Sequence, residues 1–189
     1  MSLSRLRKGE LLALTGSVAL FCLMFATWAA PDSSVLRDPG ATLPGASGAA
    51  ANSVVNGYVD RYAESGWQTL GWFMVLLMVL VMLGGLILAV LTAAERDTPV
   101  LAVVAFVWTS ALGIVTSVVL LIRLTLAQPA LSLGFSDKQV DVRGVAWLGW
   151  LALVAIAAGA WMAMGDERTE AATSAAPEVP VRPAPPATV

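Results

Sequence analysis

Few side chains in this 189-residue chain have the chemistry to act on a substrate, and their positions are informative. Glu10 opens the first apolar run and Arg123 closes the third. Proton-coupled transport calls for an ionisable group well inside a membrane helix. Glu10 and Arg123 instead lie where a long side chain can snorkel to the headgroups, so both are read as structural or interfacial. No acidic side chain is expected to be buried within a span. The alternative reading of Arg123 is a charge pair with Asp137, Asp141 or Asp60 that ties the outer loops together. The chain has no histidine, which excludes His-ligated haem, His-based zinc sites and Ser-His-Asp triads. Its one cysteine, Cys22, excludes intrachain disulfides and CxxC pairs, and in mid-run it behaves as a small hydrophobe. Phosphate-binding loops, HExxH motifs, paired catalytic carboxylates and acidic calcium loops do not occur in the sequence. The expectation is a protein that is not an enzyme and holds no cofactor or metal. A net charge of −2 offers no field for nucleic acid.

The elements around these residues follow from composition. Hydrophobic residues make up 58% of the chain, charged residues 13%, and mean hydropathy is +0.78. A core this small cannot bury so much apolar surface, so lipid must be the solvent for most of the chain. Four apolar runs, 11–30, 67–94, 99–127 and 145–164, each reach the roughly 20 residues that cross a bilayer. The predicted fold is an all-α membrane protein, a bundle of four transmembrane helices. Ser65 and Gln68 form a capping-box pattern at the second helix, and Thr98-Pro99 puts an N-cap before a first-turn proline at the third. The five residues 94–98 between those helices force an antiparallel hairpin. The first run could instead be a secretory signal; its length, and Pro31 after Ala29-Ala30, argue against cleavage.

Arg5, Arg7 and Lys8 before the first run favour a cytoplasmic N-terminus, and an even number of spans returns the C-terminus to the same side. The chain then divides into a basic N-terminus (1–10), a transmembrane domain (11–164) and a Pro/Ala-rich cytoplasmic tail (165–189), expected to be disordered. The outer loop, 31–66, carries a short amphipathic helix over Asn52–Glu64, with Val55, Tyr58, Val59 and Tyr62 near one face.

Under this topology Trp28, Trp67, Trp72, Trp147 and Trp150 fall at outer helix ends and Trp161 at an inner one, which is the placement of interfacial anchors. Trp108 lies inside the third helix. Small residues recur every four positions: Gly85, Ala89 and Ala93; Thr109, Gly113 and Ser117; Ala155, Gly159 and Ala163. In lipid such stripes let helix backbones approach, within one bundle or between copies.

The segments Arg7–Leu14, Gly66-Trp67-Gln68, Val140–Gly149, Ala158–Trp161 and Gly165–Arg168 together resemble a family of uncharacterised four-helix integral membrane proteins from actinobacteria-like, GC-rich bacteria. Nine arginines against two lysines suit a GC-rich genome. The resemblance spans residues 7–168 and implies a bacterial plasma membrane location and four helices. That family has no assigned activity, so it carries over no site residue. Three function classes follow, in descending order. They are a non-enzymatic scaffold or accessory subunit, an oligomeric pore or small transporter, and a membrane enzyme. The expected partners are the lipid bilayer and either a second copy or another membrane protein.

Overall fold

The computed structural model describes residues 7–33, 49–93, 99–126 and 140–174. Helix α1, Lys8–Leu23, starts where Arg7 is still extended, and the Glu10 carboxylate accepts the Arg7 backbone N–H at 3.0 Å. One of the orphan donors of the helix start is thereby satisfied by a side chain three residues in. The helix unwinds through tight turns in which Phe25 N–H donates to Cys22 O and Ala26 N–H to Leu23 O. The chain then runs extended as β1, Thr27–Pro31.

The expected continuous span over 11–30 is therefore corrected. Its helical part is 16 residues long, roughly 24 Å at 1.5 Å per residue, and its end is a strand. Pro31 biases Ala30 towards extended backbone, which favours that change.

Helix α2, Ala49–Arg61, leads to β2, Glu64–Ser65, and to a single turn, α3, Gly66–Thr69. Ser65 N–H donates to Gln68 Oε1 at 3.2 Å. Leu70 is extended, so the run expected to be one helix from 67 to 94 breaks there, and α4 occupies Trp72–Ala93. Helix α5 runs Pro99–Thr125, starting at the proline that the sequence reading placed in the first turn. Strand β3, Val140–Val142, leads into α6, Gly144–Ser174. Helix α6 continues ten residues past the expected end of the fourth run. No proline or β-branched cluster stops it before Pro177, and Asp166–Ala172 contains mostly residues at ease in a helix. The rest of the expected tail, 175–189, lies outside the described residues.

Among the described residues three helices are long and apolar enough to cross a membrane: Trp72–Thr92, Val103–Thr125 and Gly144–Gly165, with mean hydropathies of 3.0, 2.2 and 1.9. Helix α1 packs against α6 and α4, and α5 packs against the same two helices from the other side. Leu20, Met24, Met78, Val81, Leu120, Leu153 and Ile156 fill the space between them, and Leu88, Phe106, Ala160 and Ala163 continue the core towards the α1 N-terminus.

The sequence reading did not include a sheet. Strands β2-β1-β3 form an antiparallel one in that order, with Thr27 opposite Ser65 and Ala29 opposite Val142. Arg143 N–H extends it by donating to Trp28 O at 2.9 Å. This sheet satisfies the backbone of three connecting segments at one end of the helical body, where buried peptide groups would otherwise be left unpaired.

Candidate functional site

Helices α1 and α6 meet backbone to backbone. A Cβ on Gly159 would stand 2.5 Å from Gly9 O and 2.6 Å from Ala13 N, and one on Gly9 would stand 2.7 Å from Gly159 O. Two turns further along, a Cβ on Gly16 would stand 3.0 Å from Ala152 O. Hydrogen atoms in place of side chains are what allow two helix backbones to lie this close, with the dispersion contacts that hold helices in lipid. Gly9, Ala13 and Ser17 form a four-residue stripe of the same kind as those read from the other helices. The sequence reading passed over it because Gly9 precedes the apolar run.

Beside this seam lies Glu10, only 2% exposed. Glu10 sits in the first turn of α1, just outside the apolar run 11–30, and its role there is structural. Its Oε1 accepts the Thr92 hydroxyl at 2.8 Å, while Oε2 holds the Arg7 N–H. The carboxylate thus ties the start of α1 to the end of α4. Two donors and the partial positive charge of a helix N-terminus make its burial tolerable. Position along the sequence hid this tie, because only the fold brings Thr92 to Glu10.

At the opposite end Trp28 is 1% exposed. Its ring is inserted into the helical body and is not presented at the protein surface as expected of an anchor. The indole N–H donates to Leu23 O at 2.7 Å, satisfying the polar edge inside. A Cβ on Gly149 would stand 2.5 Å from Trp28 Cζ2, and one on Gly66 would stand 2.8 Å from its Cε2. Two glycines from different elements therefore make the slot for one ring, and β1 is pinned from its second residue.

The other tryptophans separate into classes. Trp72, Trp108 and Trp161 are 79%, 69% and 60% exposed. Trp147 stands edge-on to Trp150, at 6.4 Å between centroids. Trp150 is half-buried and donates to Ser117 O at 3.1 Å, bridging α6 to α5. Trp67 is half-buried against Phe21 and Phe25, and its indole N–H is buried without an acceptor.

The small residues of α4 and α5 also find neighbours. Gly85 faces the Ser17 hydroxyl and Ala13 O on α1, and Gly84 lies against Thr109. Ala89 is buried, Ala155 is half-buried, and the side chain of Ala93 lies outside the described residues. Gly113 faces α6, where a Cβ would stand 2.9 Å from the Ala157 Cβ. Ser117 uses its hydroxyl on Ile114 O within its own helix. Gly113→Leu is accordingly expected to destabilise by about 1–3 kcal/mol, the usual range for overpacking. Val119→Leu, at a position 38% exposed, should be neutral. Thermal melts of the two variants in detergent check the pair.

Arg123 is half-buried, with its Nε buried and unpartnered. Among the described residues no ion pair joins it to Asp60 or to Asp141, which is exposed on β3; Asp137 lies outside them. The alternative charge pair with Asp141 is therefore not formed. Cys22 is exposed on α1. Among the described residues no group of three or more His, Cys, Asp or Glu side chains is placed to hold a metal.

A groove of about 290 Å³ lies between α1 and α4, lined by Ser17, Val18, Phe21, Trp67, Leu83 and Leu86 among others. Its only hydroxyl, from Ser17, already donates to Ala13 O at 2.8 Å. No family model, curated protein or solved structure matches the chain.

Proposed function

We propose that α1 makes a fourth membrane crossing and that the chain is a non-catalytic scaffold or accessory subunit of a bacterial plasma membrane. In this reading the sheet end faces outward and both termini are cytoplasmic. Helix α2 lies at the outer surface, with Val55 and Val59 buried and Val54 and Tyr58 outward. Its partner is a membrane protein or a second copy that meets the exposed aliphatic faces of the long helices.

One observation carries the preference for a scaffold over a pore: the interior is filled with apolar side chains, and of its hydroxyls Ser17 and Thr116 bond within their own helices while Ser110 is closed in without a partner among the described residues. Ser17 donates to Ala13 O, and Thr116 donates to Leu112 O at 2.7 Å. Between these levels Leu20, Met78, Val81, Leu153 and Ile156 close the axis. An aqueous path requires polar groups free to replace water along it. Purified full-length protein reconstituted into liposomes is expected to leave proton and monovalent-cation leak rates at those of protein-free vesicles. Leak that scales with protein content would overturn the scaffold reading in favour of an oligomeric pore.

A further inference from the structure

We propose that the groove between α1 and α4 is a binding site for one acyl chain of an outer-leaflet glycerolipid, a proposal that rests on α1 lying in the membrane. Helices α1 and α4 touch where Gly85 meets Ser17 and Ala13. The groove beside this contact is walled by Val18 and Phe21 on α1 and by Val79, Met82, Leu83 and Leu86 on α4. Trp67, from the single turn α3, lines it towards the sheet end, with ring centroids 6.3 Å from Phe21 and 5.7 Å from Phe25.

Size selects the occupant. About 290 Å³ is at the small end of the roughly 300–1,000 Å³ of ordinary ligand sites. A partner helix of about 10–12 Å diameter does not enter such a space, whereas a single alkyl chain does. The lining offers no polar group to a headgroup or a hydrated ligand, since Ser17 is spent on its own helix. The second observation is the Trp67 indole N–H, buried without an acceptor among the described residues. A buried donor is rarely left unpaired. Towards the headgroup end of an acyl chain, the acceptor a glycerolipid supplies is its ester carbonyl. Trp67 lines the groove, so this pairing requires the indole to turn its covered N–H towards the chain, the amphipathic role tryptophan plays where one edge is apolar and the other wet.

The test is photolabelling of the full chain in liposomes doped with a phosphatidylcholine that carries a diazirine in mid-chain, with labelled residues mapped by mass spectrometry. Val115 and Val118 lie exposed on α5 at a similar height and report ordinary contact with bulk lipid. Ala19 and Cys22 are exposed on α1 outside the groove and report whether α1 is in lipid at all. Val18, Phe21, Leu83 and Leu86 are expected to label several-fold above Val115 and Val118, with Ala19 and Cys22 at the Val115 level. Val18→Trp, a substitution at a position 51% exposed, should fill the groove and return Phe21 and Leu83 to the bulk level. Trp67→Phe keeps the ring without the donor and should reduce the excess. Labelling of the groove equal to that of Val115 overturns the acyl-chain site while leaving the membrane reading of α1 intact. Groove labelling below Val115, together with dimeric mass, assigns the groove to a second copy and likewise overturns the acyl-chain site. Label on α5 but none on Ala19 or Cys22 overturns both the site and the fourth crossing.

Discussion

Gly159→Leu is expected to remove the folded form of the protein. The substitution asks for four heavy atoms where even the first, Cβ, would lie 2.5 Å from Gly9 O and 2.6 Å from Ala13 N. Both obstacles are backbone, so no rotamer change clears them, and α1 must separate from α6. Separation forfeits the contacts along Gly9, Ala13 and Gly16, and it strains the Glu10–Thr92 tie that sits beside them. A carboxylate that loses its donors while still buried is among the more costly defects available to a fold. The cost should exceed the upper end of the roughly 1–3 kcal/mol of ordinary overpacking. That is a large share of the roughly 5–15 kcal/mol by which native proteins are stable. The control is Gly165→Leu on the same helix, where a Cβ meets nothing within 4 Å. It should be neutral or slightly stabilising, since glycine lowers helix stability by about 1 kcal/mol. Thermal unfolding followed by circular dichroism in detergent separates the two variants. A Gly159→Leu protein that melts with the parent would mean that α1 and α6 are not in backbone contact.

Trp28→Ala should cost about 3–5 kcal/mol, the range for deleting a large buried aromatic. The ring fills a slot bounded by Gly66 and Gly149, and its N–H satisfies Leu23 O at the point where α1 ends. Removing it leaves a cavity between α3 and α6 and frees β1, so the sheet loses the residue that anchors its central strand. Trp72→Ala and Trp108→Ala, at positions 79% and 69% exposed, should stay within about 0.5 kcal/mol in detergent. The ordering of the three melting temperatures is the readout. Equal losses for Trp28 and Trp72 would mean that Trp28 acts as a surface anchor like the others.

How far this was legible in the sequence depends on the range of the forces involved. Helices α4 and α5 could be read because twenty or more apolar residues in a row have one physical solution in lipid, and Thr98-Pro99 marks a helix start by local backbone chemistry alone. The sheet was hidden because its strands are two to five residues long and β1 is mostly alanine, without the alternation that identifies a strand. Pro31 argues against a cleavage site and equally favours the extended backbone of β1. Distance from the helix end treats Trp28 and Trp72 alike, yet Trp28 is buried and Trp72 is exposed. What decides between them is whether two glycines far apart in sequence open a slot. Glu10 lies at a helix end as its position implies, but the tie it makes there is not local. Its partner Thr92 is 82 residues away, and only the packing of α1 beside α4 reveals the pair.

The central claim is that α1, although only 16 residues long, carries the chain across the membrane. The single native cysteine makes a direct measurement straightforward. In a Cys22→Ser background, Ser2→Cys places a thiol before α1 and Ser47→Cys places one after it, and a membrane-impermeant maleimide is applied to intact cells and then to lysed ones. The expected result is that Ser47→Cys labels in intact cells and Ser2→Cys only after lysis. Labelling of both positions from the same side would place α1 on one face of the membrane and contradict the fourth crossing.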